Sequence, residues 1–213
     1  MSAPGWPTRL ASGTVEVRPL RARDLRAWCE VRTRNESWLA PWEGRPPSQR
    51  PTTWRERNSP AVFSAMLRAQ RKEARAGRQL PFAVTVAGEL RGAITVAGIT
   101  RGAFDSAHVG YWVDQAVAGR GVAPTALALV LDHCFGPVGL HRVEANVRPE
   151  NGPSLRVVRK LGFTQEALHR RYLFIDEAWR DHVGFALLAE DVPGGVLREL
   201  LTGRPGAHLD NPW

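Results

Sequence analysis

Two segments of this 213-residue chain carry residue types at spacings that could do chemistry. The first runs Gly110-Tyr111-Trp112-Val113-Asp114-Gln115-Ala116-Val117-Ala118-Gly119-Arg120-Gly121-Val122-Ala123-Pro124-Thr125-Ala126-Leu127. Its start reads as the end of a strand, Gly119-Arg120-Gly121 as a turn, and the rest as a helix that opens at once. N–H groups in a first helical turn have no internal partner, and the helix dipole adds positive potential there, so the place suits a phosphate. Small side chains let phosphates approach the backbone, and Pro124 belongs in a first turn. Leu127, Val130, Leu131 and Cys134 recur at i, i+3, i+4 and i+7 and would anchor the helix on a core. No lysine stands nearby to complete a P-loop, and Pro124 takes the place of the third glycine of a dinucleotide fingerprint. Taken alone, the glycines fit a tight turn as well as a phosphate cradle.

The second segment is His141-Arg142-Val143-Glu144-Ala145-Asn146-Val147, followed by Asn151-Gly152-Pro153-Ser154 and Lys160-Leu161-Gly162-Phe163. Alternation puts Glu144 on one strand face with Arg142 and Asn146, opposite Val143, Ala145 and Val147. There Glu144 could act as a base or simply pair with a neighbouring arginine. Glu166 is a second acidic candidate. Asn151 and Ser154 have the types of an N-cap and its N3 residue, which is compatible with contacts to a ligand. His108 and His141 have the chemistry of a base, but their placement does not single them out; His182 reads as structural.

With these residues in view, the chain resembles the GNAT superfamily of acyl-CoA-dependent N-acyltransferases. Their signature is Arg/Gln-x-x-Gly-x-Gly/Ala at the start of a helix, where amides hold the CoA pyrophosphate. Here it reads Ala118-Gly119-Arg120-Gly121-Val122-Ala123: Gly121 and Ala123 match the small positions, and Ala118 departs from the usual Arg or Gln. Arg120 could supply the missing charge. The second segment is similar to the Asn-x-x-Ser…Lys-x-Gly-Phe pattern of the RimJ/RimL-type branch, which acetylates ribosomal-protein amino termini. Leu39-Ala40-Pro41-Trp42 and Arg171-Tyr172…Trp179-Arg180-Asp181-His182 extend the likeness from about Val15 to Leu188.

The resemblance implies acetyl-CoA as cosubstrate, no metal, and a cofactor-contacting set of Trp112, Val113, Gly119, Arg120, Gly121, Val122, Ala123, Thr125, Asn151, Ser154 and Lys160. Asn151 would contact the pantetheine arm and Ser154 the CoA sulfur. The catalytic candidates are Glu144, Ser154, Glu166 and Tyr172. Ser154, then Tyr172, would protonate a thiolate whose thiol pKa is roughly 8.5. Trp38 and Trp42 would wall an acceptor pocket, or merely anchor a long loop.

Neither motif contains a cysteine, in keeping with direct attack by a neutral amine while both substrates are bound. A backbone amide near Trp112 or Val113 would stabilise the oxyanion. An α-amine, with a pKa of roughly 7.7–8.0, is appreciably neutral at pH 7, whereas lysine at roughly 10.4 is almost wholly charged. A weak base acting through water, Glu144 or Glu166, is therefore enough for a terminal amine. The expected acceptor is a protein N-terminus, with a ribosomal protein implied by the resemblance. The alternatives are a small-molecule amine or a lysine on the same fold, and a non-catalytic RNA- or ribosome-binding module.

The elements that must position these residues form a mixed α/β order. Strand Thr14 to Leu20 is followed by a helix from Asp24 carrying Leu25, Trp28, Cys29 and Arg32 at helical spacing, and by an irregular tryptophan-rich segment, Glu36 to Pro60. On Thr14–Leu20, Val15 and Val17 would face one way and Glu16 and Arg18 the other. A helix from Ala61 to Ala76, with Val62, Phe63, Met66, Leu67 and Gln70 in period, leads into a hairpin of Leu80–Ala87 and Leu90–Ala97 turning at Gly88-Glu89. Strand Ala107–Asp114, the helix Gly121–Phe135, strand Arg142–Val147 and helix Ser154–Leu161 follow. Gln165–Ile175 and Trp179–Leu188 pair around Asp176-Glu177, and Pro193–Leu201 adds a short helix.

The predicted fold is a single, mostly antiparallel mixed sheet flanked by helices, the GNAT fold, as one domain at 14–190 between a flexible start (1–13) and a C-terminal helix and tail (191–213). At 43% apolar and 23% charged residues the composition is globular. No apolar run reaches the roughly 20 residues of a membrane helix, and the start does not read as a secretory signal, so a cytoplasmic monomer or homodimer with two reduced cysteines is expected. The net charge of +8 invites a nucleic-acid reading. Yet of 29 basic residues only Lys72 and Lys160 are lysines, and the 27 arginines are scattered, so direct nucleic-acid binding is not expected.

Overall fold

The computed structural model describes residues 4–47 and 52–203. Eight strands form one open sheet: β1 (Leu10–Ser12), β2 (Val15–Pro19), β3 (Gln79–Val86), β4 (Glu89–Thr100), β5 (Ser106–Val113), β6 (Arg142–Val147), β7 (Thr164–Ile175) and β8 (Ala178–Leu188). Their order is β1-β2-β3-β4-β5-β6-β8-β7, and every neighbouring pair is antiparallel except β5 and β6. The helices are α1 (Leu25–Arg34), α2 (Glu36–Leu39), α3 (Trp54–Arg57), α4 (Pro60–Arg75), α5 (Val122–Phe135), α6 (Gly152–Lys160) and α7 (Val196–Thr202). This is the mixed, mostly antiparallel architecture expected.

Alternation along the strands divides the core in two. Leu80, Phe82 and Val84 of β3 and Val109 of β5 pack with Leu127, Val130, Leu131 and Cys134 of α5. Ala83, Ala93 and Trp112 turn to the opposite face and pack with Trp28 of α1 and Phe63 and Leu67 of α4. The four α5 residues picked out by spacing are fully buried. Burial in that apolar layer pushes the Cys134 thiol up to about 12, and Cys29 is also a free thiol.

Several local expectations are corrected. Leu10–Ser12, within the start expected to be loose, pair antiparallel with Val15–Val17, and Trp6 meets Phe82 edge-on at 5.2 Å. A tight turn at Gly13-Thr14 orders Leu10–Ser12, and a contact distant in sequence holds Trp6. The segment Glu36–Pro60 is not wholly irregular: it holds α2, α3 and a 3-10 turn at Ala40–Trp42. Thr53 caps α3 in a capping box with Glu56. Arg18 stands opposite Val15 and Val17 as expected, yet it is only 7% exposed, because Asp24 takes its guanidinium with two 2.8 Å hydrogen bonds. Val62, expected on the packed face of α4, is 45% exposed. The β3–β4 turn sits at Ala87-Gly88 rather than Gly88-Glu89; both have positive φ, as a type I′ turn requires.

Candidate active site

β5 and β6 are paired over three residues only, Ser106–Arg142, Ala107–Val143 and His108–Glu144. Beyond them the strands part, β5 continuing against β4 and β6 against β8. The Asp114 N–H donates to the Arg91 carbonyl at 2.7 Å, which sets the alternation along β5. The N–H groups of Gly110 and Trp112 therefore face β4, while those of Tyr111 and Val113 face the opening. From that side the Trp38 Nε1–H donates to the Val113 carbonyl at 3.1 Å.

The start of α5 borders the same opening. Gly119 and Gly121 have φ of 75° and 79°, and a Cβ on either would meet no atom within 4 Å. The left-handed backbone, not crowding, is what requires glycine there. Gly121 caps α5 without a side-chain bond, so the N–H groups of Val122 and Ala123 have no intrahelical acceptor, and Pro124 has no N–H to satisfy. Across the opening, Asn151 Oδ1 accepts the Ser154 N–H at 3.2 Å and caps α6.

A cavity of about 500 Å³ fills the space between these elements. Trp112 and Val113 line it from β5, and Gly119, Gly121, Val122 and Ala123 from the loop and helix. Asn151, Ser154 and Lys160 line it from α6, and Trp38 and Trp42 from the segment after α1. Arg120 and Thr125 are not among its lining residues; the Thr125 N–H donates to the Gly121 carbonyl at 3.1 Å. Sequence reasoning passed over Arg156, which also lines the cavity. Its signal was present: Arg156 and Lys160 are spaced i, i+4 on one helix face. Tyr111 lines the cavity too, and burial pushes its hydroxyl up to about 12.

The carboxylate candidates sit elsewhere. Glu144 and Glu166 lie outside the residues lining this cavity, and both engage Arg142, which donates to Glu144 at 2.7 Å and to Glu166 at 3.0 Å. The guanidinium holds the Glu166 carboxyl below the usual carboxylate range. Glu144 is paired in register with His108, so both occupy the face of the sheet that carries α1 and α4. The Tyr172 hydroxyl accepts from Asn146 Nδ2 at 3.3 Å, and its ring stacks on His169 at 5.0 Å and meets His182 edge-on at 5.4 Å.

Two charged clusters hold the tryptophan segment over β5. Arg32, which burial disfavours in charged form, pairs with Glu43, donates to Asn58 Oδ1 at 2.7 Å, and lies 4.5 Å from the Trp54 ring and 5.2 Å from Trp112. Asp114, buried at the end of β5, receives hydrogen bonds from Arg34, from Asn35 at 2.9 Å and from Arg91 at 2.9 Å. Burial alone would raise its pKa; those donors outweigh burial and hold it well below the usual range. Among the described residues no group of three or more His, Cys, Asp or Glu could hold a metal ion, and no helix is long and apolar enough to cross a membrane.

The family described as Acetyltransferase (GNAT) domain matches residues 14–164. The [Ribosomal protein uS5]-alanine N-acetyltransferase of Escherichia coli (strain K12) is 29% identical over 189 residues, 87% of this chain and 94% of that protein. The Probable N-acetyltransferase YjcK of Bacillus subtilis (strain 168) is 41% identical over 86 residues, 40% of this chain but only 48% of that protein. Mycobacterium smegmatis RimJ in complex with CoA-disulfide superposes with a TM-score of 0.89 at 42% identity, covering 95% of this chain and 98% of that one.

Proposed function

Because the chain belongs to the GNAT acetyltransferase family, we propose that it transfers the acetyl group of acetyl-CoA to the N-terminal α-amine of a protein, with both substrates bound together. A cytoplasmic ribosomal protein is the acceptor we assign, since the relatives matched along most of the chain include an enzyme named for a ribosomal-protein alanine and a RimJ structure with CoA. The observation that carries the reading is the convergence on one cavity of two kinds of open amide: those of Val122 and Ala123 at a helix start, and that of Val113 at a parted strand edge.

The residues present fit CoA. Val122 and Ala123 N–H groups, reached across two side-chain-free glycines, suit a pyrophosphate, and Arg156 and Lys160 add positive charge from the facing helix. Acetyl-CoA supplies the activated thioester when bound. Asn151 holds the start of α6 and orients Ser154, whose hydroxyl is the proton donor assigned to the sulfur. The Val113 N–H, aimed into the opening, is the donor for charge developing on the carbonyl oxygen; the Trp112 N–H faces β4 and is not. Glu144 or Glu166 accepts the amine proton through water; Arg142 hydrogen-bonds to both and favours the ionised form of Glu166.

The test is a competition read by mass. Purified protein and acetyl-CoA meet two peptides in one tube, one with a free alanine terminus and no lysine, the other with a blocked terminus and one lysine. Acetylation of the first alone is the expected result. Modification of neither, with acetyl-CoA binding confirmed, would overturn the reading in favour of a small-molecule amine.

A further inference from the structure

Glu144 and Glu166 stand outside the cavity of the candidate site, but one carboxylate stands inside it. Among the described residues that line it, the cations are Arg32, Arg156 and Lys160, and the single acid is Glu43. Nothing in its sequence neighbourhood, a run of Pro, Trp and Gly, marks this residue out. Its backbone is nevertheless fixed on both flanks. The Glu43 N–H donates to the Ala40 carbonyl at 3.3 Å, the Arg45 N–H donates to the Phe174 carbonyl at 3.1 Å, and Gly44 bridges to Ile175 of β7. The two carboxylate oxygens differ. Oε2 accepts from Arg32, whereas Oε1 accepts no hydrogen bond among the described residues and is not among their inaccessible atoms. The Glu43 side chain is 33% exposed, against 6% for Arg32. One oxygen is thus tied to a buried cation, and the other is open. Arg32 in turn lies 5.2 Å from the ring of Trp112, the neighbour of Val113.

Acetyl transfer from a thioester to an α-ammonium breaks two N–H bonds. The first proton must leave before attack, to free the lone pair. A free α-amine, with a pKa of roughly 7.7–8.0, gives up that proton to water, so a distant carboxylate reached through water is enough. The second leaves once the C–N bond has begun to form, when the nitrogen is positively charged again. By then the nitrogen is held at the Val113 edge, and the acceptor must lie within about 3 Å of it, inside the cavity. A nitrogen in a tetrahedral adduct is a much stronger acid than a free ammonium, so an ordinary carboxylate suffices.

We propose that Glu43 takes this second proton, which passes from the nitrogen to Oε1 as the C–N bond forms. The C–S bond then breaks and Ser154 donates its proton to the sulfur. The proton on Glu43 restores the Ser154 hydroxyl through water, and the proton removed before attack is the one released to solvent. Glu43 is on this account a catalytic residue, and Arg32 a positioning residue that aims it. The assignment rests on the terminal-amine reading and adds the group that meets the reacting nitrogen.

Steady-state kinetics on the free-alanine peptide and calorimetry with CoA test it on the full chain. Glu43→Gln keeps an oxygen for Arg32 and removes the proton acceptor. It should lower kcat about thirtyfold or more, with the peptide KM and CoA affinity within about threefold. Glu43→Ala should lose at least as much, and sodium formate should raise its kcat about tenfold over sodium chloride at the same concentration, because a small carboxylate fits the space left. An ion pair that merely anchors the tryptophan segment gives the reverse: near-normal kcat in Glu43→Gln, and no response of Glu43→Ala to formate. Either of those results overturns the assignment. If Glu43→Gln also loses CoA binding, the formate response of Glu43→Ala alone decides. No turnover of the peptide by the unaltered protein would defeat the terminal-amine reading beneath it, a separate result.

Discussion

The two sides of the cavity are built from different materials. On the α5 side the functional groups are backbone amides presented by left-handed glycines; side chains contribute little beyond staying small. On the tryptophan side, Trp38 and Trp42 do the lining, held in place by Arg32, Glu43, Asn35 and Asp114. Backbone geometry follows from a short local motif, whereas the side-chain wall depends on partners far away in sequence. The first kind of site should be broken by a change of conformation and the second by loss of a side chain.

The largest expected effect probes the backbone side. Gly121→Val places a β-branched residue at φ 79°, a conformation it scarcely adopts, and CoA affinity measured by calorimetry should fall about a hundredfold or more. Asp114→Asn tests the tie between the two sides, since its donors come from α1, the residue after it and β4. It should lower unfolding free energy by about 2 kcal/mol at pH 7, less than a wholly buried pair would lose because Arg34 is half exposed. The folded-state pKa of Asp114 is depressed, so its contribution is complete above the unfolded value of roughly 3.9 and fades as pH falls toward the folded value. Urea midpoints of the variant and the unaltered protein should thus differ constantly from pH 5 to 8, on the order of the same gap, and converge only in strong acid.

Glu144→Gln comes next. If Glu144 is the base, turnover at pH 7 should drop about tenfold or more with acetyl-CoA affinity unmoved, and near-normal turnover would pass the role to Glu166. Trp42→Ala removes a ring that lines the cavity and carries the Arg148 guanidinium at 5.4 Å, and should raise the peptide KM about fivefold. The smallest effect is Arg120→Ala. Its side chain is not among those lining the cavity, so CoA affinity should shift by less than about twofold. A tenfold loss would mean that the backbone cradle needs a side-chain charge after all.

Legibility in the sequence divides along the same line. The helix start, the Asn151 cap with Ser154 at N3 and the buried stripe on α5 could all be read from neighbours three and four residues apart. The Asp176-Glu177 turn could as well, as the break between two alternating runs. What stayed hidden depends on which partners the folded chain brings together. Nothing near Leu10 announces that β2 will pair with it, and nothing near Arg18 announces that Asp24 will draw it inward. Glu144 and Glu166 read as two independent acids; only the sheet order, with β8 between β6 and β7, lets one arginine hold both.

The parting of β5 from β6 also sets a timescale. Most amides in the middle of a sheet exchange their protons with solvent only when the sheet opens. Those of Tyr111 and Val113 sit mid-sheet yet face an opening instead of a neighbouring strand. In the ligand-free protein they should exchange orders of magnitude faster than Gly110 and Trp112, which bond to β4, and slow sharply once a ligand occupies the gap. Alternating fast and slow amides along four consecutive residues would thus mark the reaction centre without any turnover being measured.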